Sequence, residues 1–158
     1  PGIRIVTAGC STSFREDEYQ AMDEVNAVVP GHDPALVAAE LMALGLRSGM
    51  DDRAQPLYRN ARGTRAWLKV QDGCDRKCSF CATRVARGAS VSRNPTDILK
   101  EARQLARFHP ELVITGIHIG HYGHDLDSRT TLAELCAQIL EAVPVRLRLS
   151  SIELTEDR

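Results

Sequence analysis

The chain has 158 residues, 17.4 kDa, with 20 Lys and Arg against 21 Asp and Glu, a formal net charge of −1. That size suits one compact domain or parts of two, and a composition 43% hydrophobic and 26% charged excludes wholesale disorder. No apolar run approaches the ~18 residues of a membrane span, so no membrane partner is expected, and no secretory or transit segment opens the chain.

A strand is predicted over residues 3–9, ending at Gly9-Cys10. Asp33-Pro34 reads as N-cap and first helical position, with Leu36, Val37, Leu41 and Leu44 on one face and Gly45 as terminator. Residues 47–63 are polar and aperiodic and are taken as a linker. The division expected is therefore 1–46, the linker 47–63, and 64–158.

A second rhythm follows. Ala66–Val70 is strand-like and runs into a cysteine loop. Asn94-Pro95 opens a helix whose predicted buried face is Ile98, Ala102, Leu105 and Phe108, stopped by His109-Pro110. Leu112–Ile114 is a continuous apolar run, the pattern of a parallel strand covered on both sides. A loop with Gly116, Gly120 and Gly123 leads to a helix near Leu132–Val143, with Leu132, Leu135, Cys136, Ile139 and Leu140 on one face. A last strand spans Val145–Ser150, alternating apolar residues with Arg146 and Arg148. Strand, helix, strand, helix, strand makes two successive βαβ units and a parallel sheet. The fold class expected is α/β: the end of a small α/β domain, then the first βα units of a partial (β/α) barrel. A full barrel needs ~200 residues or more, and only about three strands fit here.

The five cysteines are Cys10, Cys74, Cys78, Cys81 and Cys136. An odd number, with three packed into eight residues, is a poor disulfide framework. Gly73-Cys74-Asp75-Arg76-Lys77-Cys78-Ser79-Phe80-Cys81 is Cys-x3-Cys-x2-Cys. Structural zinc asks for a fourth ligand, and Cys136 lies on an apolar helical face as a core residue. The Cys-x2-Cys-x2-Cys run of bacterial ferredoxins is absent, and a thioredoxin-like pair leaves Cys74 unexplained. Three thiolates after a first βα strand fit a 4Fe–4S cluster with one iron open to a ligand. Around this loop the charge is lopsided: residues 53–93 hold ten basic and two acidic side chains, a net +8. A basic segment of this kind suits an anionic partner such as RNA, or a solvated Arg-rich face. His118, His121 and His124 have tempting metal-ligand spacing, but nothing in the sequence supplies supporting partners, and no separate metal is assigned there.

The cysteine loop, with Phe80 before its last thiol, resembles that of the radical S-adenosylmethionine superfamily. Val70-Gln71-Asp72-Gly73-Cys74, Ala86-Arg87-Gly88 and Ser92-Arg93-Asn94-Pro95 are similar to the methylthiotransferases of that superfamily. Thr115-Gly116-Ile117-His118-Ile119-Gly120 with Tyr122-Gly123, and Arg146–Glu153, resemble the branch that modifies threonylcarbamoyladenosine beside the tRNA anticodon. Thr83 and Arg84 depart from the aliphatic residue and Pro common after the cluster, and Leu154 from a common Pro.

The resemblance implies S-adenosylmethionine bound at a 4Fe–4S cluster held by Cys74, Cys78 and Cys81. Gly116, His118, Ser150 and Glu153 are its candidate cofactor contacts. By the same resemblance Thr7-Ala8-Gly9-Cys10 ends the N-terminal domain, and Cys10 ligates an auxiliary, sulfur-supplying 4Fe–4S cluster whose other two ligands precede Pro1. The implied reaction puts a methylthio group on C2 of the adenine ring of N6-threonylcarbamoyladenosine-37 in tRNA. It implies tRNA and an electron donor such as flavodoxin or ferredoxin as partners, a cytoplasmic location, and a longer protein of which this segment alone is inactive. Related enzymes acting on isopentenyladenosine in tRNA, or on a ribosomal-protein aspartate, are the alternatives. From another class, a zinc- or cluster-stapled RNA-binding module fits the +8 segment.

Overall fold

The computed structural model describes residues 3–31, 33–46, 63–150 and 152, and the chain divides into two compact units. The predicted linker, apart from Gly63, lies outside the described residues, as does Glu153.

Described residues before 47, together with 77–88, form the first unit. Strand β1 (Val6–Gly9) starts three residues later than expected and pairs in parallel with β2 (Ala27–Pro30). Between them lies the five-residue helix α1 (Glu16–Gln20). Neither β2 nor α1 is legible in the sequence pattern, since each spans too few residues to show a period. Helix α2 (Pro34–Ala43) starts where predicted, because the Asp33 carboxylate accepts a hydrogen bond from the Ala35 amide at 2.8 Å and Pro34 has a fixed helical φ. Gly45, at φ +70°, ends it. The expected apolar face is a different matter: no side chain of α2 is buried, and Leu36 is 55% exposed. Helix α3 (Thr83–Arg87), also unpredicted, completes this unit, and Gly88 leaves it at φ +78°. Arg87-Gly88 thus shapes a helix end.

The second unit holds the core. Strands β3 (Arg65–Lys69), β6 (Glu111–Thr115) and β7 (Arg146–Leu149) form a parallel sheet in the order β3-β6-β7, as two βαβ units require. Helix α4 (Pro95–Leu105) begins at Asn94, whose side chain accepts from the Thr96 amide at 2.8 Å. Helix α5 (Leu132–Ala142) begins at a capping box between Thr131 and Glu134. One face of the sheet, Ala66, Leu68, Leu112 and Ile114, is buried in one cluster with Ile98, Ala102 and Leu105 of α4 and Leu135 and Ile139 of α5.

Three expectations about this core need correction. Phe108 is 53% exposed, because α4 stops at Leu105 and the helical period no longer carries it inward. Leu140, at the rim of the α5 stripe, is exposed as well. Among the described residues the central strand is fully buried on one face alone: Leu112 and Ile114 are buried, whereas Glu111, Val113 and Thr115 are half-buried. Their face carries the exposed Trp67 and Arg148 in register with Val113, and a carboxylate–guanidinium row. There Glu111 Oε1 meets Arg65 Nε at 2.8 Å, and Glu111 Oε2 lies 3.9 Å from Arg146. Arg146 and Arg148 therefore do share the face opposite the helices. Both are exposed on β7, an end strand of this sheet.

Candidate functional site

The three parallel strands end together. Lys69 pairs with Thr115, Ile114 with Leu149, and the Val70 and Ser150 amides donate to Thr115 O at 2.9 Å and Ile114 O at 3.1 Å. Loops leaving these ends carry Cys74, Gly116 with His118, and Ser150, so the order read from the sequence does bring them to one edge. This C-terminal edge is where βα folds gather their chemistry.

A two-residue antiparallel ladder, β4 (Gln71–Asp72) with β5 (Val91–Ser92), closes the base of the cysteine loop. The residues it joins are far apart in sequence, so no local pattern announces it. Cys74 is half-buried and belongs to the second unit, while Cys78 and Cys81 are exposed and belong to the first. Cys78 O accepts from the Cys81 amide at 3.2 Å. Hydrogen bonds with Thr83, its side chain first and its backbone second, hold the Cys81 thiol below the usual range. The Sγ–Oγ1 distance is 3.1 Å. The residue that departs from the family pattern thus favours the thiolate. Phe80 is exposed.

All five cysteines are free thiols. Among the described residues no three Cys, His, Asp or Glu side chains are gathered to hold a metal ion. The fit of this loop to an iron–sulfur cluster therefore rests on the number and softness of its donors. Burial pushes the Cys136 thiol up, which suits a core residue and not a ligand. Cys10 follows Gly9, which adopts φ +115°. The turn is held by Thr12, buried, whose hydroxyl lies 2.6 Å from Gly9 O and 2.8 Å from Val29 O.

Gly116 is required by packing within the protein. A Cβ there would come 2.9 Å from Gln71 O and 2.9 Å from Gln71 Oε1. His118 is buried. The three histidines do not converge as ligands but stack, with ring centroids 4.6 Å apart from His118 to His121 and again from His121 to His124. A 3₁₀ turn, Ile119–His121, sets that arrangement.

The far end of this loop is tied to β5. Ser92 Oγ accepts from the Gly123 amide at 2.9 Å, the Ser92 amide donates to Asp125 Oδ2 at 2.8 Å, and the Tyr122 hydroxyl donates to Arg93 O at 3.0 Å. Burial pushes the Tyr122 phenol up to about 12, with the Asp125 charge adding to it. For Asp125, burial pulls upward, but the bonds from Ser92 outweigh it and its carboxyl lies below the usual range. A carboxyl depressed in the folded state stabilises above its unfolded pKa, and that contribution is lost as pH falls through the folded value. Protection of the Ser92 amide from hydrogen exchange is accordingly expected to hold above pH ~4 and to fall in more acid solution. In Asp125→Asn that acid step should vanish; a wild-type protection factor that stayed flat through acid would contradict the role given to Asp125.

Sequence reasoning quotes Gln71 and Ser92 only as members of motifs and gives them no role, and it passes over Asp125. Gln71 is fully buried and bonded to both loops, yet a Gln near a strand end carries no periodic or ligand signal. Ser92 and Asp125 carry no such signal either.

Comparison with known proteins shows the family. Residues 68–157 match the model of the Radical SAM superfamily. The chain is 33% identical over 164 residues to the threonylcarbamoyladenosine tRNA methylthiotransferase MtaB of Thermotoga maritima, a match covering 97% of this chain and 37% of that protein. It is 43% identical over 97 residues to the Bacillus subtilis protein of that name, covering 59% of this chain and 21% of that protein. The ribosomal protein uS12 methylthiotransferase RimO of a Synechococcus strain is 34% identical over 156 residues, covering 91% of this chain and 33% of that protein. The chain spans about two fifths or less of the length of these curated relatives. With the family model matched across the cysteine loop and the sheet behind it, this chain belongs to the Radical SAM superfamily.

Proposed function

We propose that the protein is a tRNA methylthiotransferase, placing a methylthio group on C2 of N6-threonylcarbamoyladenosine in tRNA. One observation carries this reading: similarity to the Thermotoga threonylcarbamoyladenosine enzyme runs through 97% of the chain, including the Cys-x3-Cys-x2-Cys loop. Cys74, Cys78 and Cys81 would hold a 4Fe–4S cluster, and Cys10 would contribute one ligand to a second. Such a cluster supplies one-electron reduction of S-adenosylmethionine. The division 1–46, 47–63 and 64–158 belongs to this proposal, as do an electron-donor protein and a cytoplasmic location. No helix among the described residues is long and apolar enough to cross a membrane.

The chain's own residues bind, orient and exclude water. The Gly116 and His118 backbone and the Ser150 turn leave the same sheet edge as Cys74 and would seat the cofactor beside it, with Glu153 in the same stretch. Buried Tyr122 and Ile119 underlie that loop and keep solvent from its inner side. A second reading, modification of a ribosomal-protein aspartate, is favoured by the similarity to RimO.

Anaerobic reconstitution of the full-length protein with iron and sulfide tests the proposal. Reductive cleavage of S-adenosylmethionine and a methylthio group on tRNA carrying threonylcarbamoyladenosine are expected. Methylthiolation of the ribosomal protein alone would favour the second reading. Tight zinc binding with no cleavage would overturn both and leave an RNA-binding module.

A further inference from the structure

The Gln71 side chain is fully buried between two loops, and its partner Ile117 in the second lies 46 residues on in sequence. Its Nε2 lies 2.6 Å from Asp72 O, 2.8 Å from Gly73 O and 2.9 Å from Ser90 Oγ. Its Oε1 accepts from the backbone amides of Ile117 at 3.0 Å and His118 at 2.8 Å. These partners fix the orientation of the amide, since backbone N–H groups can meet only its oxygen and carbonyls only its nitrogen. Two hydrogens serve three acceptors, so one is shared, and both oxygen lone pairs are engaged.

The placement of those partners matters more than their number. Gly73 precedes Cys74, and Ser90 stands where the chain returns from the cysteine loop, its amide bonded to Asp75 Oδ1 at 3.1 Å. Ile117 and His118 begin the loop that follows β6. One side chain therefore fastens the entry and the exit of the thiol-bearing loop to the backbone of a neighbouring one. Gly116 is the complementary requirement: a Cβ there would also come 2.8 Å from Ile119 Cγ2, so only glycine lets this loop close onto Gln71. Ser92 and Tyr122 tie β5 and Arg93 to the far end of the second loop, whereas Gln71 joins its start to the residues next to Cys74. A general packing role does not account for a side chain that meets five polar groups and uses every donor and acceptor site it has.

We propose that Gln71 is a positioning residue that sets the spacing between the Cys74 end of the cysteine loop and the Gly116–His118 backbone, and so the seat of a sulfonium cofactor beside the cluster. The inference rests on the radical-enzyme reading above and adds to it a residue that neither ligates iron nor, being enclosed, touches the cofactor. A leucine at position 71 removes both halves of the link at nearly constant volume. A glutamate keeps the two acceptor bonds from Ile117 and His118 while losing the donors to the Gly73 side.

The test uses the full-length, cluster-loaded protein and two readouts other than turnover. The first is hydrogen exchange at the Ile117 and His118 amides, read without added cofactor. The second is titration of S-adenosylmethionine followed by the change it makes in the electron paramagnetic resonance spectrum of the reduced cluster. In Gln71→Leu, iron and sulfide content should match wild type, the two amides should exchange faster, and cofactor affinity should fall about 10-fold to 100-fold, as for other supports of a metal site. Gln71→Glu should keep the amides protected and lose less affinity. Wild-type affinity and an unchanged cofactor-induced spectrum in a cluster-loaded Gln71→Leu would overturn the positioning role. If Gln71→Leu does not fold or load iron, Gln71→Glu decides alone: wild-type affinity and spectrum overturn the proposal, and weaker binding at full cluster content supports it. Failure of the wild type itself to load a cluster or respond to the cofactor would overturn the radical-enzyme reading, and this proposal with it.

Discussion

Ile114→Ala is expected to destabilise the protein by about 2–5 kcal/mol, measured as a lowered urea midpoint at unchanged slope. Ile114 is fully buried on the central strand β6, with Leu68 and Leu149 beside it in register. The residues buried in the same cluster come from both helices, so a cavity there opens between two elements that cannot easily close on it together. The neighbouring Val113 supplies the internal control. It faces the opposite side of the sheet and is only half-buried, so Val113→Ala should cost about 1 kcal/mol or less. Equal effects at the two positions would mean that both faces of this strand are covered, as its apolar run alone suggests, and would contradict the arrangement described.

Gly123→Ala is expected to cost about 2–4 kcal/mol, from two sources. Gly123 sits at φ +92°, which an L-residue enters at a cost of about 1–2 kcal/mol. The added methyl would stand 1.9 Å from Thr130 O, a backbone atom that can move away only by shifting the approach to the α5 capping box. Gly9→Ala separates the two sources. Gly9 has φ +115° but nothing within 4 Å of its would-be Cβ, so only the conformational part should appear. Similar losses at both positions would remove the steric argument for Gly123. Accelerated exchange of the Gly123 amide, which donates to Ser92 Oγ, should accompany the larger loss.

Much of the second unit is legible residue by residue. Asn94-Pro95 announces a helix because a short polar acceptor and a fixed φ are what a helix start needs. The same logic holds for Asp33-Pro34. Leu112–Ile114 announces a strand, and the alternation with helices announces a parallel sheet. The cysteine spacing announces soft-metal chemistry because three thiols in eight residues have few other uses in a chain lacking a disulfide framework. Phe108, Leu140 and Leu36 mark where this reasoning stops. Each lies at a helix end, on the rim of an apolar stripe, or on a helix whose neighbours do not cover it, and periodicity reports a face without reporting what meets it.

Local composition and spacing were thus enough to determine the α/β class, the βαβ order, the three thiols and the residue types at the helix starts, because each depends on neighbours within a few positions. Only the tertiary structure decided that Gln71 bridges two loops, that Gly116 answers to a buried glutamine, that three spaced histidines stack instead of converging, and that the central strand buries Leu112 and Ile114 but leaves Val113 half-buried. Those features are pairings across dozens of residues, set by which groups the packed strands and helices bring within hydrogen-bond or van der Waals reach.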